Sequence, residues 1–297
     1  MVQKSINLTG EQKKVLFLPE TNPIQIKGVA GSGKTTIAMY RAKHLLDTYS
    51  DLFREAEIMI FTYNKSLTQY IKSLLPYVIG GYQENSDTRN PSTKGLHVKV
   101  STFNKWSYDF LSRNGVFNDY TQMERSEHNE ILCHAIKETR KSFQGARILN
   151  KPLNFFDEEL SWIKGQLFKT LNDYLSTARI GHGTKDRVDK NDKAVIWNVY
   201  ETYCLEQISR KKIHFDDHAS YCLNLIEKHN IQPEYTHIVV DEAQDMTKAQ
   251  IMVIKSLVKP STNSLTIIAD TAQRIYKSGF SWTEVGINVR GGRTVEL

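Results

Sequence analysis

One stretch near the start of the chain has the residue types and spacing of a phosphate-binding loop. Residues 28–35 read Gly-Val-Ala-Gly-Ser-Gly-Lys-Thr and match G-x-x-x-x-G-K-[ST] at every fixed position. The glycines allow successive backbone amides to point into one concavity, where they can bind phosphate oxygens without a Cβ atom in the way. Lys34 would reach the β- and γ-phosphates of a nucleotide, and the Thr35 hydroxyl would ligate Mg²⁺. An apolar run before the loop and a helical pattern after it favour this interpretation over a glycine-rich turn that binds nothing.

Two carboxylates far along the chain could supply the other half of a phosphoryl-transfer site. Residues 237–240 form a mainly apolar run that leads into Asp241 and Glu242. A first carboxylate at such a strand end would hold Mg²⁺ through water, and a second would polarise an attacking water. Alone, an acidic pair after an apolar run is usually a solvated loop. Together with the phosphate loop, it predicts hydrolysis of a nucleoside triphosphate through positioning and charge neutralisation.

Short apolar runs rich in β-branched residues are expected to position these groups. They lie at residues 24–26, 58–61, 98–100, 238–240 and 265–268. Because they alternate with helical patterns, they predict an α/β fold in which helices cover both faces of a mainly parallel sheet. One helical stripe follows residue 61 and comprises Leu67, Tyr70, Ile71, Leu74 and Leu75. Pro76 is expected to end that helix, because proline lacks the amide proton that the next turn needs.

The middle of the chain shows no convincing strand between about residues 104 and 230. One helical stripe there comprises Ile196, Val199, Tyr200 and Tyr203, and residues 157–175 have a similar pattern. Residues 80–95 and 181–192 are polar, contain glycine and are predicted to be loops. We therefore expect an α/β domain formed by residues 1–103 and 231–297, with residues 104–230 as an inserted all-helical subdomain.

Composition limits the function classes that remain open. The 297 residues contain 39 Lys and Arg against 33 Asp and Glu, a formal net charge of +6, which permits a polyanionic partner without demonstrating one. No stretch approaches the roughly 20 apolar residues of a membrane helix, and the N-terminus lacks a signal-peptide pattern. The three cysteines are too few for an ordinary iron–sulfur cluster and form no disulfide framework. A cytoplasmic protein with no membrane partner is expected.

The residues around the acidic pair carry a family resemblance. Residues 241–245 read Asp-Glu-Ala-Gln-Asp and resemble the D-E-x-Q-D signature of superfamily 1 helicases of the UvrD/Rep type. Further segments follow in that family's order. They are residues 8–12, similar to its Q motif; 62–65, similar to T-x-N-K; 101–103, similar to T-F-H; 215–217, which resemble a segment before the acidic strand; and 270–276, similar to G-D-x-x-Q-S-I-Y.

The resemblance implies a RecA-like P-loop NTPase fold, ATP and Mg²⁺ as cofactors, and a role for each matching residue. Glu242, Lys34 and Gln273 would be catalytic, with Gln273 coupling the γ-phosphate to the DNA groove, and Thr35 and Asp241 would hold the metal. The nucleotide would contact Gln12, which would recognise adenine, together with Gly28, Ala30, Gly31, Ser32, Gly33, Lys34, Thr35, Thr36 and Arg41. Single-stranded DNA would contact Tyr63, Asn64, Lys65, Thr102, Phe103 and Tyr276.

The sequence also departs from the family pattern. Asn104 stands where the family commonly has His, Ala269 replaces a Gly, and Trp282 is only an approximate match to a stacking aromatic residue. No N-Y-R motif occurs, although in the family this motif leads into a second α/β domain that supplies two arginines to the nucleotide. We therefore expect the motor half of a 3′-to-5′ helicase that acts on single-stranded DNA or a 3′-tailed duplex. A second RecA-like domain, in a longer chain or a partner subunit, would complete it.

Other interpretations remain open at this point. The chain could be a DNA- or protein-binding module that hydrolyses almost nothing, or a motor that acts on RNA or serves a partner nuclease in phage defence. Trp106 fits a core position better than a stacking position, and the basic runs 140–141 and 210–212 fit solvated faces better than DNA contacts. His214, His218 and Cys222 are spaced at i, i+4 and i+8, too far apart along a helix for all three to share one metal ion.

Overall fold

The structure, a computed structural model, describes residues 8–50, 55–79, 98–179, 187–270 and 279–297. Gln273 and Tyr276, and most of the predicted loops 80–95 and 181–192, lie outside these ranges. The strands are β1 (Ile24–Gly28), β2 (Ile58–Thr62), β3 (Val98–Thr102), β4 (Thr121–Gln122), β5 (Lys212–Ile213), β6 (His237–Val240), β7 (Ser264–Asp270) and β8 (Thr294–Glu296).

Eleven α-helices occur in the described ranges. They are α1 (Gly10–Leu16), α2 (Lys34–Tyr49), α3 (Lys65–Val78), α4 (Phe103–Arg113), α5 (Val116–Asp119), α6 (Arg125–Ser142), α7 (Leu153–Gln166), α8 (Leu171–Ser176), α9 (Lys190–Ser209), α10 (His218–Lys228) and α11 (Lys248–Ser256). Side-chain caps start several of them, because the first amides of a helix lack partners within the helix. Asn64 caps α3, Thr102 caps α4 and Thr247 caps α11.

Six strands form one sheet in the order β3-β2-β6-β7-β1-β8, and each pairing is parallel. The predicted parallel α/β fold is thus confirmed. The strands β6, β7 and β1 are neighbours, and Gly28 at the end of β1 pairs with Asp270 at the end of β7. Because parallel strands end at the same edge of a sheet, the residues that follow these three strands lie close together.

The two faces of the sheet bury different residues of the same strands. In β6, Val239 packs with α2 and α3, whereas its neighbours Ile238 and Val240 pack with α4, α10 and α11. This alternation is the two-residue period of a strand buried on both sides. Helices therefore cover both faces, as the sequence predicted.

The helical insertion has its own hydrophobic core, built from buried residues between Met123 and Tyr203. This core includes fewer residues than the predicted subdomain 104–230. The difference arises because α4 and α10 pack on the sheet rather than in the insertion. Near Gly165, α7 lies against α11. A Cβ atom at Gly165 would lie 3.0 Å from Cγ2 of Thr247, so the lack of a side chain allows the close approach.

Four local predictions were wrong. Helix α3 continues past Pro76 to Val78, because a proline in the last turn removes only one hydrogen bond and Ile79 N still bonds to Leu75 O. Residues 157–175 form parts of two helices, separated at Leu167, which adopts the left-handed conformation (φ 59°). The loop predicted to reach residue 192 ends earlier, since Asp189 caps α9. The middle also contains one short parallel pair, β4 with β5.

Among the described helices, none has the length and apolar character needed to cross a lipid bilayer.

Candidate nucleotide site and nucleic-acid cleft

The phosphate loop connects β1 to α2, and three of its glycines have structural reasons. Gly31 and Gly33 have φ angles of 81° and 84°, in the left-handed region that favours glycine. A Cβ atom at Gly28 would lie 2.4 Å from Oγ of Ser32, so a side chain there would displace the Ser32 hydroxyl. The backbone amides of the loop therefore lie at the N-terminus of α2. The N-terminus of a helix favours the binding of an anion.

Lys34 is the first residue of α2, and its amine lies inside the loop. Its Nζ atom donates to the backbone oxygens of Gly28 at 3.1 Å and Val29 at 3.0 Å. It also lies 3.9 Å from the Asp270 carboxylate, and both side chains are buried. The loop and the end of β7 therefore share one buried ammonium group, at the place where the sequence predicted a phosphate contact.

Thr35 and Asp241 meet beside this amine. The Thr35 hydroxyl donates to Oδ2 of Asp241 at 2.8 Å, and the Asp241 backbone amide donates to the Phe61 oxygen. Burial raises the pKa of Asp241 to about 6, and the nearby charge of Glu242 acts in the same direction, while the Thr35 hydrogen bond opposes them. A hydroxyl and a carboxylate are oxygen donors of the kind that Mg²⁺ prefers, so these residues fit the metal that the motif implies.

Glu242 is held by a residue to which the sequence analysis gave no role. Gln244 is buried, and its Nε2 atom donates to Oε2 of Glu242 at 2.5 Å. Its Oε1 atom accepts from the Asp270 amide at 3.0 Å. Glu242 itself has a φ of 55°, an uncommon conformation for a residue other than glycine. Gln244 thus fixes the orientation of the acidic side chain and connects it to the end of β7. The only signal for this role in the sequence was its place within the 241–245 signature.

Gln12 contacts the phosphate loop, and Arg41 contacts the segment that follows α1. Gln12 belongs to a capping box with Thr9 at the start of α1, and its Nε2 atom donates to the Ser32 oxygen at 3.0 Å. Arg41 is fully buried and donates to the backbone oxygens of Leu16, Leu18 and Pro19. Arg41 therefore holds the segment after α1 in place. Its direct contact with nucleotide stays a prediction, and Ala30 and Thr36 lie in the loop and the first turn of α2, as expected from the motif.

The predicted DNA residues divide into two groups. Tyr63, Asn64 and Lys65 are exposed where β2 leads into α3. Thr102 and Phe103 are buried. The Thr102 hydroxyl accepts from the Lys105 amide, and the Phe103 ring packs near Phe61. The Phe103 ring therefore belongs to the core, and the DNA contacts of Thr102 and Phe103 stay predictions.

Three further interpretations can be compared with the structure. Trp106 is buried against Phe61, as the core interpretation predicted. Trp282 is also buried, beside Phe280, which favours a core position over base stacking for this ring. Both ring nitrogens of His218 bond within the protein, to Ser107 and Gln122. Among the described residues, no group of three potential ligands is placed to hold a metal ion.

Most of the basic residues that were candidates for DNA contact are engaged within the protein. Arg210 pairs with Glu130 and Glu206, and Lys212 pairs with Glu127. Arg140 donates to Leu149 O and Asn150 Oδ1. These partners favour the interpretation of the basic runs as solvated, internally paired faces.

The parallel sheet, the glycine loop and the adjoining threonine–aspartate pair define a P-loop NTPase with a RecA-like fold. The chain belongs to the UvrD/REP helicase N-terminal domain family, whose sequence profile matches residues 8–282. It is 24% identical over 279 residues to the ATP-dependent DNA helicase PcrA of Staphylococcus epidermidis, covering 91% of this chain and 34% of that protein. It is 22% identical over 297 residues to a probable DNA helicase II homolog of Mycoplasma capricolum, covering 97% of this chain and 37% of that protein. The chain thus spans about a third of the length of the curated relatives that it matches.

Proposed function

We propose that this chain is the ATP-binding motor half of a 3′-to-5′ DNA helicase. It would bind Mg²⁺-ATP and single-stranded DNA, and a second RecA-like domain would complete the machinery that couples hydrolysis to translocation and unwinding. The observation that carries the proposal is the meeting of Lys34, Thr35, Asp241 and Asp270 at one edge of the sheet. DNA as the substrate and the 3′-to-5′ direction are inferred from the family.

Each residue of the site has a task in this proposal. Lys34 neutralises charge on the β- and γ-phosphates, and the loop amides bind the remaining phosphate oxygens. Thr35 and Asp241 hold Mg²⁺, which supplies charge neutralisation when bound. Glu242, oriented by Gln244, accepts a proton from the attacking water. Gln12 would recognise the adenine base, and its hydrogen bond to the Ser32 oxygen supports this role by holding it near the loop.

The test is the affinity of the chain for Mg²⁺-ATP, measured by calorimetry. Lys34→Ala should weaken binding by at least tenfold, because the ammonium group is the principal charge aimed at the phosphates. Lys43→Ala is the matched control, since that amine is exposed and pairs with Asp47 one turn away on the same helix. Unchanged ATP affinity in Lys34→Ala would refute the proposal.

Turnover separates the motor from a binding module that hydrolyses almost nothing. An arginine supplied from another domain is worth about 10³–10⁵ in rate in related phosphoryl-transfer enzymes, so residues 1–297 alone should hydrolyse ATP slowly. Strong stimulation by single-stranded DNA would exclude the binding-only alternative.

A motor that acts on RNA is tested separately. The affinities for matched DNA and RNA strands would be compared at one salt concentration.

A further inference from the structure

An open cleft of about 520 Å³ lies between the start of α3 and the loop after β6. One wall contains Tyr63, Asn64 and Tyr70, and the opposite wall contains Glu242 and Asp245. Its volume falls within the range of sites that bind small organic groups. The cleft therefore joins the exposed end of β2 to the loop that carries the proposed catalytic carboxylate.

Tyr70 is the unexpected member of this cleft. Tyr70 belongs to the apolar stripe identified in the sequence, but its side chain is 52% exposed. Ile71, Leu75 and Val78 fill the buried side of α3 instead. The Tyr70 ring thus contributes little to the core. Tyr63, which is also exposed, lines the same cleft, so two aromatic rings offer flat apolar surface within it.

The charges around the cleft favour one orientation of a nucleic-acid strand. Glu242 and Asp245 would repel a phosphate that entered the cleft. Helix α3 contains no acidic residue, and Lys65 lies exposed in its first turn. A strand would therefore keep its phosphates near Lys65 and direct a base inward. Oδ1 of Asn64 accepts from the Leu67 amide, which leaves the Asn64 amide hydrogens to donate to an acceptor on a base.

We propose that Tyr70 and Tyr63 form a stacking pocket for one base of a single strand. Tyr70 is a binding residue that the family motifs in this sequence do not include. This inference rests on the proposed function, because it takes single-stranded nucleic acid as the ligand. The base in the pocket would lie against the loop that contains Glu242, Gln244 and Asp245.

The experiment uses the 297-residue chain and a single-stranded oligonucleotide that contains 2-aminopurine, whose fluorescence decreases when it stacks. A stack on an aromatic side chain contributes enough that Tyr70→Ala should weaken binding about 5- to 150-fold and reduce the quenching. Tyr70→Phe should keep both, because the ring remains. Tyr77→Ala is the matched control, since Tyr77 is 70% exposed on the same helix and does not line the cleft.

The outcomes separate this inference from the proposed function. If the unmodified chain binds the strand and Tyr70→Ala binds it equally well, the stacking pocket is refuted and the proposed function is not. If the unmodified chain binds Mg²⁺-ATP but no single strand, both fail.

An oligonucleotide made only of abasic units tests whether Tyr70 contacts a base. Tyr70→Ala and the unmodified chain should bind this oligonucleotide equally well. If Tyr70→Ala binds it less tightly, Tyr70 contacts the backbone and the base pocket is refuted. Binding of an arginine-rich peptide that depends on Tyr70, with no effect of Tyr70→Ala on DNA, would assign the cleft to a cationic protein partner instead.

Discussion

The hydroxyl of Thr35 donates a hydrogen bond to the carboxylate of Asp241 at 2.8 Å, although 206 positions separate the two residues in the chain. The contact exists because β1 and β6 flank β7 in a parallel sheet and end at the same edge. The long helical insertion leaves this edge unchanged, since it departs after β3 and returns before β6. The two halves of the site are therefore positioned by strand order rather than by proximity in sequence.

Asp241→Asn should stabilise the metal-free protein at pH 7. The pKa of Asp241 is raised from 3.8 to about 6, so between these values the folded state keeps a proton that the unfolded state releases. The free energy of unfolding therefore falls as pH rises through this window. Removal of the charge should restore about 1–3 kcal/mol at pH 7, since one pKa unit corresponds to about 1.4 kcal/mol.

Urea unfolding from pH 4 to pH 7, with chelator present, would measure this effect. Asp109→Asn is the control, because Asp109 is exposed and pairs with Lys105 on its own helix. Equal stability of Asp241→Asn and the unmodified chain at pH 7 would contradict the raised pKa. Asn should also abolish the Mg²⁺-dependent part of ATP binding, because a neutral amide is a poorer ligand for a hard cation.

Gln244→Leu should destabilise the protein by about 1–3 kcal/mol, because the buried Asp270 amide loses its acceptor. Turnover should fall more than ATP affinity, since Glu242 loses the donor that orients it. Chemical denaturation and steady-state kinetics would measure the two effects. Gln144→Leu, at an exposed position, should change neither. A loss of stability with unchanged turnover would restrict Gln244 to a structural role.

Arg41→Lys should cost about 2–4 kcal/mol of folding free energy. A lysine amine cannot reach the oxygens of Leu16, Leu18 and Pro19 together, and unpaired buried carbonyls are expensive. Arg41 is fully buried, and this burial lowers the pKa of its guanidinium to about 10. Thermal unfolding would measure the loss, with the exposed Arg113→Lys as control. Weakened nucleotide binding with unchanged stability would instead indicate that Arg41 contacts the nucleotide directly.

Gly165→Ala should destabilise the protein by about 1–2 kcal/mol, although alanine favours helices. The new Cβ atom would lie 3.0–3.1 Å from Cγ2 and Cβ of Thr247, and Thr247 is fixed as the cap of α11. Gly10→Ala, also in a helix, would meet nothing within 4 Å and should be neutral or slightly stabilising. Denaturant melts of both variants would test the difference. Equal effects would show that α7 and α11 move apart freely.

The phosphate loop and the acidic pair could be predicted from the sequence because their chemistry requires particular residues at fixed spacing. Both faces of the central strands are buried, so continuous apolar runs such as residues 238–240 also identified the sheet. The position of Tyr70 could not be predicted in this way. A tyrosine in an apolar stripe fits a core, and only the packing of Ile71 and Leu75 shows that the core is filled without it.

Arg41 and Phe103 show a second limit of sequence reasoning. Their motif positions suggested contacts with ligands, whereas the structure gives Arg41 three backbone oxygens and surrounds Phe103 with Phe61 and Trp106. A motif shows which residue type occupies a position. It does not show whether that residue contacts a ligand or stabilises the fold. Gln244 shows the converse. Its motif position suggested no contact of its own, and its hydrogen bond with the Asp270 amide depends on how close the ends of β6 and β7 lie.

The strand β8 pairs with β1 on the side opposite β7. The strand before the phosphate loop is therefore hydrogen-bonded on both edges, and the backbone amide of Leu297 donates to the Lys27 oxygen immediately before Gly28. The two neighbouring strands, β7 and β8, both lie between residues 264 and 296. This one part of the chain therefore hydrogen-bonds to β1 on both sides. Thermal fluctuations of the loop should consequently be damped at its anchored end and concentrated toward α2, which would preserve the backbone concavity that is proposed to bind phosphate.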